Sequence, residues 1–170
     1  PRPIQSKPRI FLGSIMSPES IQYAGSMGLN LMVIPYAVSL EKVKDTISMY
    51  REALDKAGYD QGDFSVMGPA HMLVDENAAK AIAVVRDPIV RYVGYVRDAV
   101  KSDKWSKDYK GYEGMVKMCE ALMNFDIMYD NRSVCGNPAH AGECIEAFRD
   151  AGVDEIPFVT IMPGLAQEKI

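Results

Sequence analysis

The chain has 170 residues, of which 48% are hydrophobic and 25% are charged, a composition typical of a folded domain with its own core. The net charge is −4 and the lysines and arginines form no basic cluster, which argues against nucleic acid as a partner. No apolar run approaches the ~20 residues of a membrane-spanning helix, so no membrane partner is expected. Three cysteines are an odd number and indicate no disulfide framework, so the expected location is cytoplasmic.

The first strand and helix lie at the start of the chain. Ile10–Ile15 is short and mostly apolar, as expected of a strand that is buried on both faces. Ser17 then has the position of a helix N-cap, with Pro18 at the first helical position. Gly28 is a typical residue to end this helix.

Two further strands follow in the first half of the chain. Leu29–Tyr36 predicts a strand, and Ser39 caps a long amphipathic helix that ends at Gly58. Phe64–Val74 predicts a third strand, with an irregularity at Gly68-Pro69 because proline cannot donate to a sheet ladder.

The second half of the chain is mainly helical. The segment Asp75–Val100 predicts a helix that is broken near Pro88. The remaining predicted elements are an exposed loop at 102–110, a helix over Gly111–Phe125, a brief extended segment over Asn131–Gly136, a helix from Pro138 to Ala151 and a strand over Ile156–Ile161.

Strands that alternate with helices predict one α/β domain over residues 1–170, with a parallel sheet and right-handed crossovers. Four main strands are too few for a complete eight-stranded TIM barrel, which takes ~250 residues. A half-barrel or a small open sheet therefore fits better. Ligands of such sheets bind beyond the carboxyl ends of the strands.

The junction between the first strand and its helix has the composition of a phosphate site. Ser17 and Ser20 are one turn apart, and the first amides of a helix have no helical partner. Hydroxyls, amides and the positive end of the helix dipole together suit a phosphate. The alternative is that Ser17 is only a helix cap and that nothing binds.

Two aromatic side chains follow strand ends and are candidates to line a ligand pocket. His71 lies near the end of the third predicted strand and Tyr36 at the end of the second. A histidine there could donate a hydrogen bond to a ligand or act as an acid or base. A buried, hydrogen-bonded histidine is the alternative.

The cysteines raise the question of a metal site. His140 and Cys144 are four residues apart on one helix face, and Cys135 lies shortly before them. Only three potential ligands cluster here and no second paired motif is present, so we predict no metal.

Several short motifs, each present once, are spread along the chain. In chain order they are Pro8-Arg9-Ile10-Phe11-Leu12-Gly13, Ser17-Pro18-Glu19-Ser20, Gly28-Leu29-Asn30-Leu31, Tyr50-Arg51-Glu52-Ala53, Ala57-Gly58-Tyr59, Gly136-Asn137-Pro138, Ala151-Gly152-Val153-Asp154-Glu155 and Pro163-Gly164-Leu165. Together they resemble the carboxyl-terminal half of luciferase-like, flavin-dependent monooxygenases, the bacterial luciferase family. The resemblance implies an eight-stranded barrel fold, of which this chain would contain strands five to eight.

The resemblance also implies an activity. Family members use reduced FMN, supplied by a flavin reductase, and O2 to oxygenate a small organic substrate; some branches use the deazaflavin F420. A fragment of this kind is expected to be inactive without the N-terminal half-barrel, in the same or a separate chain, and to form a homo- or hetero-oligomer. The alternatives are a non-catalytic flavin-binding or interaction half-barrel and an F420-dependent oxidoreductase.

Site residues are carried over by position in the motifs. The resemblance implies that the loop after strand five, Met16-Ser17 with the hydroxyl of Ser20, holds the flavin phosphate. Met16 replaces an acidic residue of bacterial luciferase, so its contact would be through the backbone. Tyr36, His71 and Met162 are the pocket candidates, and the sequence assigns no catalytic residue.

Overall fold

The computed structural model describes residues 8–15, 17–100 and 124–160, together with positions 4, 117, 121 and 164. The helices are α1 (Pro18–Ser26), α2 (Leu40–Lys56), α3 (Ala78–Val100), α4 (Phe125–Arg132) and α5 (Pro138–Asp150). The strands are β1 (Phe11–Gly13), β2 (Asn30–Met32), β3 (Val66–Met67), β4 (Ala70–Val74), β5 (Val134–Gly136) and β6 (Phe158–Val159). The predictions for Met16, Met162 and the loop 102–110 lie outside the described residues.

All strand pairs among the described residues are parallel, which confirms the α/β class. One sheet has the order β1-β2-β3 and the other has the order β5-β4-β6. In the first sheet Gly13, Met32 and Met67 lie side by side in register. No helix in the described parts of the chain is both long and apolar enough to cross a membrane.

The irregularity predicted at Gly68-Pro69 is present and divides the third strand into β3 and β4. The Gly68 amide donates to the carbonyl of Glu155 across 2.9 Å. Before this point β3 pairs with β2, and after it β4 pairs with β6. A Cβ on Gly68 would lie 3.1 Å from side-chain atoms of both Pro35 and Val153, so a larger residue would not fit without displacing them.

Helices α1 and α2 pack closely against each other, outside the β1-β2-β3 sheet. A Cβ on Gly25 would lie 2.5 Å from Ala53 Cβ and 2.8 Å from the carbonyl oxygen of Tyr50. The hydroxyl of Tyr50 donates to the carbonyl of Leu29 across 2.8 Å and ties α2 to the start of β2. The core contains buried aliphatic residues of these elements, among them Ile21, Ala24, Leu31, Val43, Ile47 and Leu54.

An arginine and a carboxylate join three segments at the amino ends of the strands. Arg51 of α2 donates to the carbonyls of Gln61 and Phe64 across 2.8 and 2.9 Å, and to Asp154 across 2.7 Å. Asp154 also accepts from the amide of Val66 across 2.7 Å. This network stabilises the fold by joining α2 to the start of β3 and to the segment before β6.

The helix break predicted at Pro88 is wrong, because α3 continues through this residue. Proline removes one amide from the helical ladder, but Pro88 and its neighbours Val85 and Ile89 are buried and hold the helix against the rest of the core. The helix also starts later than predicted. Asn77 accepts from the amide of Lys80 at 3.2 Å, as an N-cap does, so helical geometry begins at Ala78 and not at Asp75.

Several predicted strands are shorter in the structure. The strand predicted to reach Tyr36 ends at Met32, because the following Pro35 starts a 3-10 turn over Pro35–Ala37. The last strand is confined to β6 among the described residues. β1 is only partly buried, because its outer edge pairs with no strand in the described part of the chain.

The helix α4 was not predicted. Its N-cap is Asn124, whose side chain accepts from the amide of Ile127 at 3.0 Å. The extended segment predicted from Asn131 therefore begins only at Val134. Of the helix predicted over Gly111–Phe125, only positions 117 and 121 before Asn124 are described, and both are helical.

Candidate functional site

The junction of β1 and α1 has the geometry of a capped helix. Ser17 is the N-cap, and its hydroxyl oxygen accepts from the amide of Ser20 at 3.2 Å. The same hydroxyl donates to the carboxylate of Glu19 across 2.9 Å. The predicted cap at Ser17 is therefore confirmed, whereas the phosphate contact remains a prediction.

Side chains of the first turn of α1 occupy the amides of Glu19 and Ser20, which have no helical partner. Pro18 has no N–H, and the amide of Ser20 is occupied by Ser17. A hydrogen bond from its own backbone amide, and then the hydroxyl of Ser17, hold the pKa of Glu19 below its usual value. Glu19 is thus a carboxylate anion at the positive end of the helix, where a phosphate would bind.

The residues at this junction nevertheless fit a phosphate. Ser17 and Glu19 are exposed and Ser20 is half-buried, so the Glu19 side chain can turn into solvent without disturbing the core. Its departure leaves the two hydroxyls and the helix end as donors for an incoming anion. Ser14, three residues earlier, is buried, and its hydroxyl has no hydrogen-bond partner among the described residues. The sequence analysis did not single out this serine.

The two described pocket candidates, Tyr36 and His71, are in contact with each other. Their ring centroids lie 5.2 Å apart. Tyr92 of α3 completes the cluster: its hydroxyl lies 2.6 Å from that of Tyr36, and its ring centroid lies 5.0 Å from that of His71. The sequence analysis missed Tyr92, because its position depends on how α3 packs over β4.

Burial keeps Tyr36 and His71 uncharged at neutral pH. His71 is 1% exposed, and desolvation lowers the pKa of its imidazole to about 4. Desolvation, followed by the hydrogen bond with Tyr92, raises the pKa of Tyr36 far above its ordinary value. His71 Nδ1 has no hydrogen-bond partner among the described residues. The neutral imidazole of His71 therefore lies beside the hydroxyls of Tyr36 and Tyr92 with one ring nitrogen unused among the described residues.

The strand register relates this cluster to the junction at α1. Ser17, Tyr36 and His71 each lie four residues beyond one of the registered positions Gly13, Met32 and Met67. Ser17 and Tyr36 follow the carboxyl ends of β1 and β2, whereas His71 is the second residue of β4 in the other sheet. The structure brings Tyr36 and His71 into contact, whereas the side-chain hydrogen bonds of Ser17 stay within its own helix turn.

The two described cysteines, Cys135 and Cys144, are buried, and Cys144 contacts His140. Cys144 Sγ lies 3.5 Å from His140 Nε2 and donates to the carbonyl of Ser133 across 3.3 Å. Cys135 Sγ donates to the carbonyl of His71 across 3.6 Å, and burial raises its pKa to about 12. Within the described ranges, no three potential ligands are grouped so that they could hold a metal ion.

A groove of about 360 Å³ runs between α1 and α2 and includes Gln22 and Met49 in its lining. None of the candidate site residues contributes to it, and both polar and apolar side chains of the two helices form its walls. This groove is therefore separate from the carboxyl edge of the sheet.

Comparison with known protein families shows the family to which this chain belongs. The profile of the family described as luciferase-like monooxygenase matches residues 1–155. The chain belongs to the luciferase-like monooxygenase family. A comparison with curated protein sequences found no significant match.

Solved structures of this luciferase-like fold superpose on most of the chain. Monooxygenase RslO1 from Streptomyces bottropensis has a TM-score of 0.63 at 19% identity, over 95% of this chain and 43% of its own. The oxygenating constituent of 3,6-diketocamphane monooxygenase from Pseudomonas putida, in complex with FMN, has a TM-score of 0.58 at 18% identity, over 89% and 41%.

A third similar structure is that of a protein that depends on coenzyme F420. The coenzyme F420 dependent tetrahydromethanopterin reductase from Methanopyrus kandleri has a TM-score of 0.57 at 18% identity, over 88% of this chain and 44% of its own. The chain thus spans less than half the length of each of these three proteins. At these identities the likeness shows the fold alone.

Proposed function

We propose that this luciferase-like chain is the carboxyl-terminal half-barrel of a flavin-dependent monooxygenase that uses reduced FMN and O2 to oxygenate a small organic substrate. The observation that carries the proposal is the capped, solvent-accessible helix end at the carboxyl edge of β1, in a chain of this family. Ser17 and Ser20 hold the flavin phosphate, and Met16 contributes through its backbone. Met162, with Tyr36 and His71, lines the pocket.

The arrangement of strands supports the half-barrel. β1, β2 and β3 lie side by side in chain order, and β4, which continues the chain after Gly68-Pro69, lies between β5 and β6; all of these pairs are parallel. Within the described ranges, the outer edges of β1 and β6 pair with no strand. Ile10 and Phe158 beside these edges are 54% and 40% exposed. Open parallel edges require a covering partner, which is the N-terminal half-barrel of the same or a separate chain, or another copy in an oligomer.

In this proposal the bound flavin supplies the reducing electrons, and a separate flavin reductase delivers it in the reduced form. The residues of this chain bind and orient it. Ser17 and Ser20 donate to phosphate oxygens once Glu19 has turned away, and the end of α1 adds its positive dipole. The groups that contact O2 and the substrate belong mainly to the other half-barrel, so the chain alone is inactive.

F420 is the second candidate cofactor. The likeness to an F420-dependent reductase favours it, because that protein shares this fold over 88% of the chain. F420 carries a phosphate as FMN does, so the same helix end would serve. The chain would then belong to an F420-dependent oxidoreductase.

Calorimetric titration with reduced FMN under anaerobic conditions tests the phosphate assignment. Loss of two charge-assisted hydrogen bonds in the Ser17→Ala, Ser20→Ala variant should weaken binding by about 30-fold or more. Ser39→Ala is the matched control, because Ser39 caps α2 with the same side-chain bond, at 3.2 Å to the amide of Lys42. It should change the affinity less than about twofold while losing similar helix stability. Equal binding by both variants and the wild type would show that the phosphate lies elsewhere.

A further inference from the structure

The hydrogen bonds of the Tyr36–His71–Tyr92 cluster do not use all of its polar groups. The two tyrosine hydroxyls carry two protons, and the contact of 2.6 Å between them uses one. The other hydroxyl proton has no acceptor among the described residues. A neutral imidazole has one donor and one acceptor nitrogen. Nδ1 of His71 also has no hydrogen-bond partner among the described residues. The cluster therefore has a spare donor beside a spare ring nitrogen.

Leaving such groups unpaired in a buried position is unfavourable. His71 is 1% exposed, and a buried polar atom without a hydrogen-bond partner loses its interaction with water and gains nothing in return. Buried polar groups in native proteins almost always have a partner. A ligand group that both donates and accepts would satisfy the cluster, and the two tyrosine rings beside it provide apolar surface for a planar ligand.

The cluster lies near the carboxyl end of β2. Tyr36 is in the 3-10 turn that follows β2, and His71 is the second residue of β4, where its ring contacts that of Tyr36. Tyr36 and Tyr92 are only half-buried, so the cluster lies just below the surface. Each ring comes from a different element, and the cluster is fixed by tertiary packing.

We propose that Tyr36, His71 and Tyr92 form an uncharged subsite for a planar amide edge, a group with adjacent N–H and C=O. In it, Tyr92 is a positioning residue: its bond to Tyr36 fixes the direction of that hydroxyl and leaves one proton for the ligand. The subsite rests on the proposed function, in which the amide edge is the pyrimidine end of the flavin ring. Deazaflavin has the same edge, so the subsite serves FMN and F420 alike.

Riboflavin, which lacks the phosphate, tests this subsite independently of Ser17 and Ser20. Reduced riboflavin is titrated anaerobically into the full chain and into Tyr92→Phe, and its N3-methyl derivative, which lacks the N–H donor, is titrated into both. Tyr95→Phe is the matched control, because Tyr95 lies on the same helix and is 63% exposed. Thermal unfolding of each variant verifies that it is folded.

Tyr92→Phe should weaken riboflavin and FMN binding by the same factor, about 5- to 10-fold, which corresponds to the loss of one hydrogen bond. Tyr95→Phe should leave both affinities unchanged within about twofold. The N3-methyl derivative should bind the wild type about 10-fold more weakly than riboflavin does. In wild-type protein, riboflavin should also shift the ring ¹⁵N resonance of His71, which a purely structural cluster would not show.

Failure of the subsite and failure of the proposed function give different results. If Tyr92→Phe and Tyr95→Phe bind riboflavin equally, or if the His71 resonance does not move, the subsite is wrong even when Ser17 and Ser20 bind the phosphate. If the double serine variant binds FMN normally and Tyr92→Phe binds it weakly, the phosphate assignment fails and the subsite stands. A wild-type chain that binds FMN but not riboflavin overturns the subsite, and one that binds neither overturns both.

Discussion

The hydroxyl of Ser17 donates a hydrogen bond to the carboxylate of Glu19 across 2.9 Å, at the first turn of α1. The same hydroxyl accepts from the amide of Ser20, so Ser17 links the Glu19 carboxylate to the first turn of the helix by two hydrogen bonds. An acid in the first turn stabilises a helix through its attraction to the positive end of the helix dipole. It also occupies the place that a phosphate would take, so the stability of α1 and ligand binding compete for the same groups.

Replacing Glu19 with glutamine should therefore strengthen the binding of reduced FMN. The substitution removes the competing anion and its repulsion of the phosphate, which should raise the affinity about 3- to 5-fold at low salt. The gain should shrink as salt is added, because Glu19 is exposed. Glu41→Gln is the control, since Glu41 has the same place in the first turn of α2. An affinity that falls, or that changes equally in both variants, contradicts the competition.

His71 should make the stability of the fold depend on pH. Burial lowers its pKa to about 4 from 6.5, so between these values the unfolded chain binds the proton and the folded chain does not. Stability due to neutral His71 is complete above pH 6.5 and falls as the pH is lowered toward 4, by at most about 3 kcal/mol.

The measurement is urea unfolding at pH 7 and pH 5, compared between the wild type and His71→Gln. The carboxylates with lowered pKa, such as Asp75 and Glu155, are the same in both proteins, so their contribution cancels in the comparison. The wild type should lose more stability between the two pH values than the variant does. Equal losses would mean that His71 titrates at its ordinary pKa.

Substitutions at Arg51 should change stability and leave flavin binding intact. Arg51→Lys loses the planar fork that joins two carbonyls to Asp154, and should lower the free energy of unfolding by about 2 kcal/mol. Lys56→Ala is the control, because Lys56 and Glu52 form an exposed pair at 3.8 Å that should contribute less than about 1 kcal/mol. A variant at Arg51 that folds with normal stability but binds FMN poorly would place the network in the site.

Two glycine substitutions should have opposite effects on stability. Gly25→Ala places a Cβ 2.5 Å from that of Ala53 and should destabilise the fold by about 2 kcal/mol, because the two helices must move apart. A Cβ at Gly94 of α3 meets no atom within 4 Å, so Gly94→Ala should stabilise by about 0.5–1 kcal/mol. Chemical denaturation measures both, and destabilisation of similar size would contradict the close packing of α1 on α2.

Local signals predicted the starts of most helices, because capping depends on residues close in sequence. Ser17 and Ser39 cap as expected, and Gly28 adopts the left-handed conformation with φ of +61°. The behaviour of Pro88 could not be predicted, since it depends on tertiary burial of the helix around it.

The candidate site was predictable only in part. Ser17 and Ser20 were identifiable from their spacing before a helix, and Tyr36 and His71 from their places at strand ends. The position of the Glu19 carboxylate at the helix end depends on its side-chain rotamer, which the sequence does not predict. The contact between Tyr36 and Tyr92 joins residues 56 positions apart, so it depends on tertiary packing. The hydroxyl of Ser14, which has no hydrogen-bond partner among the described residues, is likewise identified only from the folded structure.

The central claim is that the β1–α1 junction binds the phosphate of a flavin. The most direct measurement compares the dissociation constants of reduced FMN and reduced riboflavin in the wild-type chain and in the Ser17→Ala, Ser20→Ala variant. The wild type should bind FMN at least about 30-fold more tightly than riboflavin, and the variant should bind the two with nearly equal affinity. A preference for FMN that survives both substitutions would contradict the account.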